Sequence, residues 1–102
     1  MADKDPLADL RQRIDEIDIA VQQLVSERAE CARKVAEVKR EQGDTEHFYR
    51  PEREAQVLRK VQQRNQGPLS DDAISGIFRE IMAVCLALEK PLKVAFLGPE
   101  GT

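Results

Sequence analysis

The chain has 102 residues, room for a single domain, with 34% charged residues, 4% aromatics, no Trp and a formal net charge of −3. A chain rich in Ala, Glu, Lys, Leu and Arg and poor in aromatics points to long helices rather than a sandwich or barrel, and its small net charge and regular apolar spacing argue against disorder. The acidic balance supplies no general field for nucleic acid, and no apolar run approaches the roughly 20 residues that span a bilayer.

Glycine and proline punctuate the chain into three helical spans and a remnant. Asp5-Pro6 opens the first span with an N-cap residue and a proline at the first helical position, and 36 residues without either punctuator then run to Gly43. Leu7, Leu10, Ile14, Ile17, Val21, Leu24, Cys31, Val35 and Val38 follow steps of three and four, interrupted at Arg28. Such a helix is roughly 50 Å long, whereas a compact globule of this chain length is about 35 Å across. It must protrude and leave apolar surface wet unless a second chain covers it, so a homodimer is expected.

Residues 43–49 (GDTEHFY) form a loop. A second helix opens at Arg50-Pro51-Glu52, with Glu52 and Glu54 at the positive end of its dipole. It carries a thin stripe of Ala55, Val57, Leu58 and Val61 and ends in Asn65–Leu69. Ser70 caps a third helix, with Asp71 and Asp72 in its first turn. The apolar residues from Ile74 to Leu88 carry it to Glu89, and this most apolar span is expected in the core. After Pro91, Lys93–Leu97 has strand character and leads into Gly98–Thr102. A lone strand has no partner in a helical chain, so residues 93–102 are expected to open a separate domain, after a first domain of residues 1–92.

The N-terminus MADKDP has no signal-peptide apolar region, so the chain is expected in the cytoplasm with Cys31 and Cys85 reduced. Two cysteines and His47 lack metal-ligand spacing, and no metal site is expected.

Arg28 stands on the seam between Leu24 and Cys31. A buried guanidinium requires a carboxylate, an interior water or an anionic ligand, or it serves as a seam ion that fixes register. Lys39, eleven residues on, returns to nearly the same face about 16 Å along the axis. The two long side chains can grip a small dianion between them, with Val35 as the apolar floor. Arg11 lies about 25 Å below Arg28 and about 100° around the axis. It reaches such a ligand only from an antiparallel partner helix. Arg53 and Glu54 lie one turn before Val57 and Leu58 and are expected to face the core, and Cys85 and Glu89 lie one turn apart. Each has a plain reading too: Arg11 and Lys39 as surface charges, Arg53-Glu54 as helix-start chemistry, Cys85 and Cys31 as small core residues. Without a family, the set supports an anion site in a helical dimer.

Arg11 in PLADLRQRIDEID, Arg28 and Lys39 in LVSERAECARKVAEVK, Arg53-Glu54 in FYRPEREAQVL and the segment FREIMAVCLALE together resemble the all-helical (AroQ-type) chorismate mutases. The terminal KVAFLGPEGT resembles the opening of prephenate dehydratases, and a mutase followed by a dehydratase is the order of bifunctional proteins of phenylalanine biosynthesis. The resemblance implies an all-α fold of three helices per chain, one very long, in an intertwined homodimer that isomerises chorismate to prephenate without a cofactor. By position it implies that Arg28, Lys39, Arg53, Glu54, Cys85 and Glu89 share one chain's site, with Val35 lining it and Arg11 donated by the other chain. Arg11 and Arg28 would clamp carboxylates. Lys39 would donate to the breaking ether oxygen and is a candidate partner for a carboxylate. Glu54 would accept from the ring hydroxyl with Arg53 steadying it, and a protonated Glu89 would be a second donor to the ether oxygen. Three positions depart from many relatives: Arg50 stands where an acid is common, Cys85 where Ser is common, and Glu89 where some carry Gln. The alternative is a non-catalytic helical dimerisation module, or one that binds a regulatory effector.

Overall fold

A computed structural model describes residues 5–43 and 50–89 as three helices, α1 (Pro6–Glu41), α2 (Pro51–Arg64) and α3 (Asp71–Glu89). Of the expected loop at 43–49 only Gly43 is described, and the expected strand and turn at 93–102 lie outside the described residues.

Helices α1 and α3 start at residues whose side chains cap them. The Asp5 carboxylate accepts from the Leu7 amide at 3.1 Å, Pro6 occupies the first turn, and Lys39 and Arg40 sit at the negative end of the dipole. Gly43 (φ +83°) then takes the left-handed conformation that ends α1, its amide donating to the Arg40 carbonyl at 3.1 Å. Between α2 and α3, the Asn65 side-chain Nδ2 donates to the Leu69 carbonyl at 2.8 Å and to Asp71 Oδ1 at 2.9 Å. The Ser70 hydroxyl accepts from the Ala73 amide at 3.0 Å, an N-cap that starts α3 at the expected residue.

The third helix packs on both others, while no Cα atom of α1 comes within 8 Å of one in α2. On α3 the inward stripe is Ile74, Ser75, Phe78, Ile81, Met82, Cys85, Leu86 and Glu89, of which Ser75 and Cys85 are fully buried. Ser75 escapes the cost of an unpaired buried hydroxyl because its Oγ accepts from Gln62 Nε2 at 3.0 Å, which also ties α2 to α3. Val61 seals the same seam.

On α1, the side facing inward differs from the large apolar stripe read from the sequence. Val25, Arg28, Ala29, Ala32, Ala36 and Lys39 are buried or half-buried, and Ala36 is wholly enclosed. Alanines at helical spacing let another backbone approach closely, so small residues make this contact. The large stripe stays wet: Leu7, Leu10, Ile14, Ile17, Val21 and Leu24 are each between 42% and 62% exposed. The core expected of α3 is likewise partial, since Ile77, Val84 and Leu88 face outward. The radius of gyration is 18.9 Å, against about 13 Å for a compact globule of this length. The 63 Å long axis has the protruding α1 as its physical cause.

Candidate active site

One cavity of about 760 Å³ opens where the C-terminal half of α1, the start of α2 and the end of α3 converge. From α1, Arg28, Cys31, Ala32, Val35 and Lys39 enter its wall; from α2, Arg53 and Glu54, with Arg50 just before the helix; from α3, Met82, Ala83, Cys85, Leu86 and Glu89. Two helices whose backbones stay apart thus become opposite walls of a cleft, and α3 forms its back.

Each placement follows from helix periodicity. Arg28, Cys31, Ala32, Val35 and Lys39 recur at three- and four-residue steps, so they share one side of α1. Arg50, Arg53 and Glu54 stand at i, i+3 and i+4 across the first turn of α2, where the Glu54 amide donates to the Arg50 carbonyl at 3.0 Å. Cys85 and Glu89 are one turn apart on α3. Glu54 is half-buried as expected, whereas Arg53 is exposed and reaches the cavity from its rim. Cys85 is buried, Cys31 is exposed, and both are free thiols.

In a chain of net charge −3, this wall sets the cations Arg28, Lys39, Arg50 and Arg53 against the carboxyl groups Glu54 and Glu89. Such a concentration of like charge around an apolar floor of Val35, Ala32 and Leu86 suits a small anion with a carbon skeleton. Glu89 is the perturbed acid. Burial pushes its pKa above the ordinary value, and the charges of Lys39 and Arg28 only partly oppose that rise. Among the described residues, no group of three or more His, Cys, Asp or Glu side chains is close enough to hold a metal ion, and no helix is long and apolar enough to cross a membrane.

The structure therefore brings together Arg28, Val35, Lys39, Arg53, Glu54, Cys85 and Glu89, while Arg11 is exposed on the distal half of α1 and outside the cavity. Sequence reading alone gave no role in the wall to Cys31, Ala32, Met82, Ala83 or Leu86. The three- and four-residue spacing of Cys31 and Ala32 from Arg28 and Val35 is the signal that could have found two of them. A second, open depression on α1 is lined by Ile19, Gln22, Gln23, Ser26 and Glu27 and holds no comparable constellation.

A three-helix chain with a cation-rich cleft between α1 and α2 defines a helical enzyme domain for a small anion, and the family model for chorismate mutase type II matches residues 10–90. The chain belongs to that family. It is 56% identical, over its whole length, to the bifunctional chorismate mutase/prephenate dehydratase of Pseudomonas aeruginosa and 51% identical to that of Stutzerimonas stutzeri, and it spans 29% of the length of each. Among solved structures, the form II chorismate mutase of Thermus thermophilus superposes with a TM-score of 0.77 at 29% identity, covering 83% of this chain and 94% of that one. The Helicobacter pylori chorismate mutase in complex with prephenate gives a TM-score of 0.72 at 29% identity, covering 81% and 88%.

Proposed function

We propose that this chain isomerises chorismate to prephenate, and that it works as an intertwined homodimer with two sites, each completed by Arg11 of the other chain. The observation that carries this reading is the single cavity in which Arg28, Lys39, Arg53, Glu54 and Glu89 meet from three helices. Family membership supports the chemistry, and the wet stripe on α1 supports the dimer. On this reading residues 1–92 are the mutase domain, residues 93–102 open a dehydratase-like segment, and the protein serves phenylalanine biosynthesis in the cytoplasm.

The reaction is a pericyclic shift within one molecule, with no covalent intermediate and no cofactor. The protein must hold the dianion in its reactive chair-like conformer and stabilise negative charge on the ether oxygen as the C–O bond breaks. Even a million-fold acceleration requires about 8 kcal/mol, within the joint reach of those two effects. Arg28 and the partner's Arg11 clamp the carboxylates, and Val35 and its neighbours exclude water. Lys39 donates to the ether oxygen, Glu54 accepts from the ring hydroxyl, Arg53 steadies Glu54, and Cys85 lines the back wall. The test is direct: chorismate is added to the purified chain and its ultraviolet absorbance followed. Loss well above the uncatalysed rate is expected; no such loss from a folded dimer would instead favour an effector-binding module.

Glu89 gives this site a pH signature. Only the protonated acid can donate to the ether oxygen. Burial raises its pKa, Arg28 and Lys39 lower it, and Arg50, Arg53, Glu54 and Cys85 face the same space. A bound dianion adds negative charge and offsets the two cations, so the acid form gains further ground in the complex. The protonated fraction falls as pH rises, so kcat is expected to decline through the pKa of Glu89 in the complex. Glu89→Gln, a permanent donor, is expected to flatten that limb. An unchanged pH–rate curve in the variant would exclude Glu89 as the titrating donor.

A further inference from the structure

Arg50 stands at a position where local chemistry asks for a different residue. It is the N-cap of α2, with extended backbone (φ −129°, ψ 95°), and it makes no side-chain cap hydrogen bond. A guanidinium carries donors only and cannot accept from the free amides of the first turn, as Ser, Thr, Asp or Asn would. Its charge also lies at the positive end of the helix dipole, where cations are disfavoured. The other two helix N-termini obey the rule, with Asp5 capping α1 and Ser70 capping α3. A local rule broken at one end only, and at the mouth of a cavity, marks a residue kept for the cavity rather than for the helix.

Arg50 enters the wall of the cavity on the side opposite Arg28 and Lys39, one turn from Glu54. We infer that Arg50 is a further substrate-binding residue, a cation on the α2 wall that binds a carboxylate of the dianion and sets its affinity. The inference rests on the proposed mutase reading and extends it. With Arg53 steadying Glu54, Arg50 gives α2 a direct anion contact, so charge meets the substrate from both walls. Its contact is present before the bond breaks and persists through the transition state, so it acts on KM rather than on kcat. The cap disadvantage is then the local cost of a binding group.

The experiment compares wild type, Arg50→Ser and Arg50→Lys, assayed with chorismate across a range of salt, with thermal melts of each. Arg50→Ser restores a capping hydroxyl and removes the charge. KM is expected to rise about 10-fold or more, as for loss of a charged hydrogen bond, with kcat within about 3-fold. Its KM should also respond less steeply to salt than that of wild type. Its melting temperature should hold or rise by a few degrees, which separates lost binding from lost structure. Arg50→Lys is expected to recover most of the affinity at low salt. An unchanged KM in Arg50→Ser would overturn the inference, as would Arg50→Lys being no better than Ser.

A cycle with Glu54→Gln distinguishes direct binding from an effect relayed through Glu54. The two KM effects are expected to multiply, and the absence of any further rise in the double variant would overturn direct contact. Failure of wild type to turn over chorismate would sink the mutase reading itself. Activity in wild type with no response at position 50 would sink only this inference.

Discussion

Lys39→Ala is expected to lose about 10²–10³-fold in kcat, the usual consequence of removing one preorganised donor to a developing oxyanion, while the chain remains folded and associated. Lys39 is half-buried on the cavity wall, in the last turn of α1, where the helix dipole favours its charge. Its position is therefore fixed before substrate arrives, and little reorganisation accompanies the reaction. The ether oxygen is neutral in the ground state and gains charge only as the bond stretches. On the proposed reading that Lys39 donates to it, the ammonium contributes most at the transition state, so kcat should fall far more than KM rises. Steady-state kinetics of the variant, with circular dichroism to verify helix content, measures this. A raised KM at undiminished kcat would reassign Lys39 to ground-state binding of a carboxylate.

Mixing two dead chains is expected to restore activity. Arg11→Ala chains retain Lys39, and Lys39→Ala chains retain Arg11. If each site draws Arg11 from one chain and Lys39 from the other, a hybrid dimer has one intact site and one doubly damaged site. Random exchange at equal concentration then yields roughly a quarter of the wild-type activity, from two nearly inactive parents. The geometry that motivates the experiment is intrachain: Arg11 is exposed on the distal half of α1, while Arg28 and Lys39 lie together in the cavity. Exchange can be followed by mass spectrometry of differently tagged chains. Proven exchange with no recovered activity would rule out a shared site.

Most of the helical frame was legible because its boundaries are written in single residues. Asp5-Pro6, Pro51 and Ser70 mark helix starts, and Gly43 and Asn65 lie just past helix ends. Local capping chemistry acts over two or three positions and needs no tertiary knowledge. The side that α1 turns inward was less legible. Large apolar residues suggested one seam, but Ala29, Ala32 and Ala36 carry the intrachain packing, and alanine is as common on a solvated helix face as in a seam. The Ser75–Gln62 bond was invisible for a related reason. Ser75 has no local signature, and its partner lies thirteen residues back on another helix. In the cavity, long charged side chains were findable because they interrupt apolar periodicity. Cys31, Met82 and Leu86 conform to it and are distinguished only by what stands across from them.

The separation of the α1 and α2 backbones has a mechanical meaning. Helix α3 packs on both charged walls and acts as the spacer that sets the width between them. Met82 and Leu86, on the cavity side of that spacer, therefore work as a gauge block. A bulkier or slimmer side chain there would change the bite of the clamp without altering one of its charges, so the size of ligand admitted can be tuned separately from the sign of charge that attracts it.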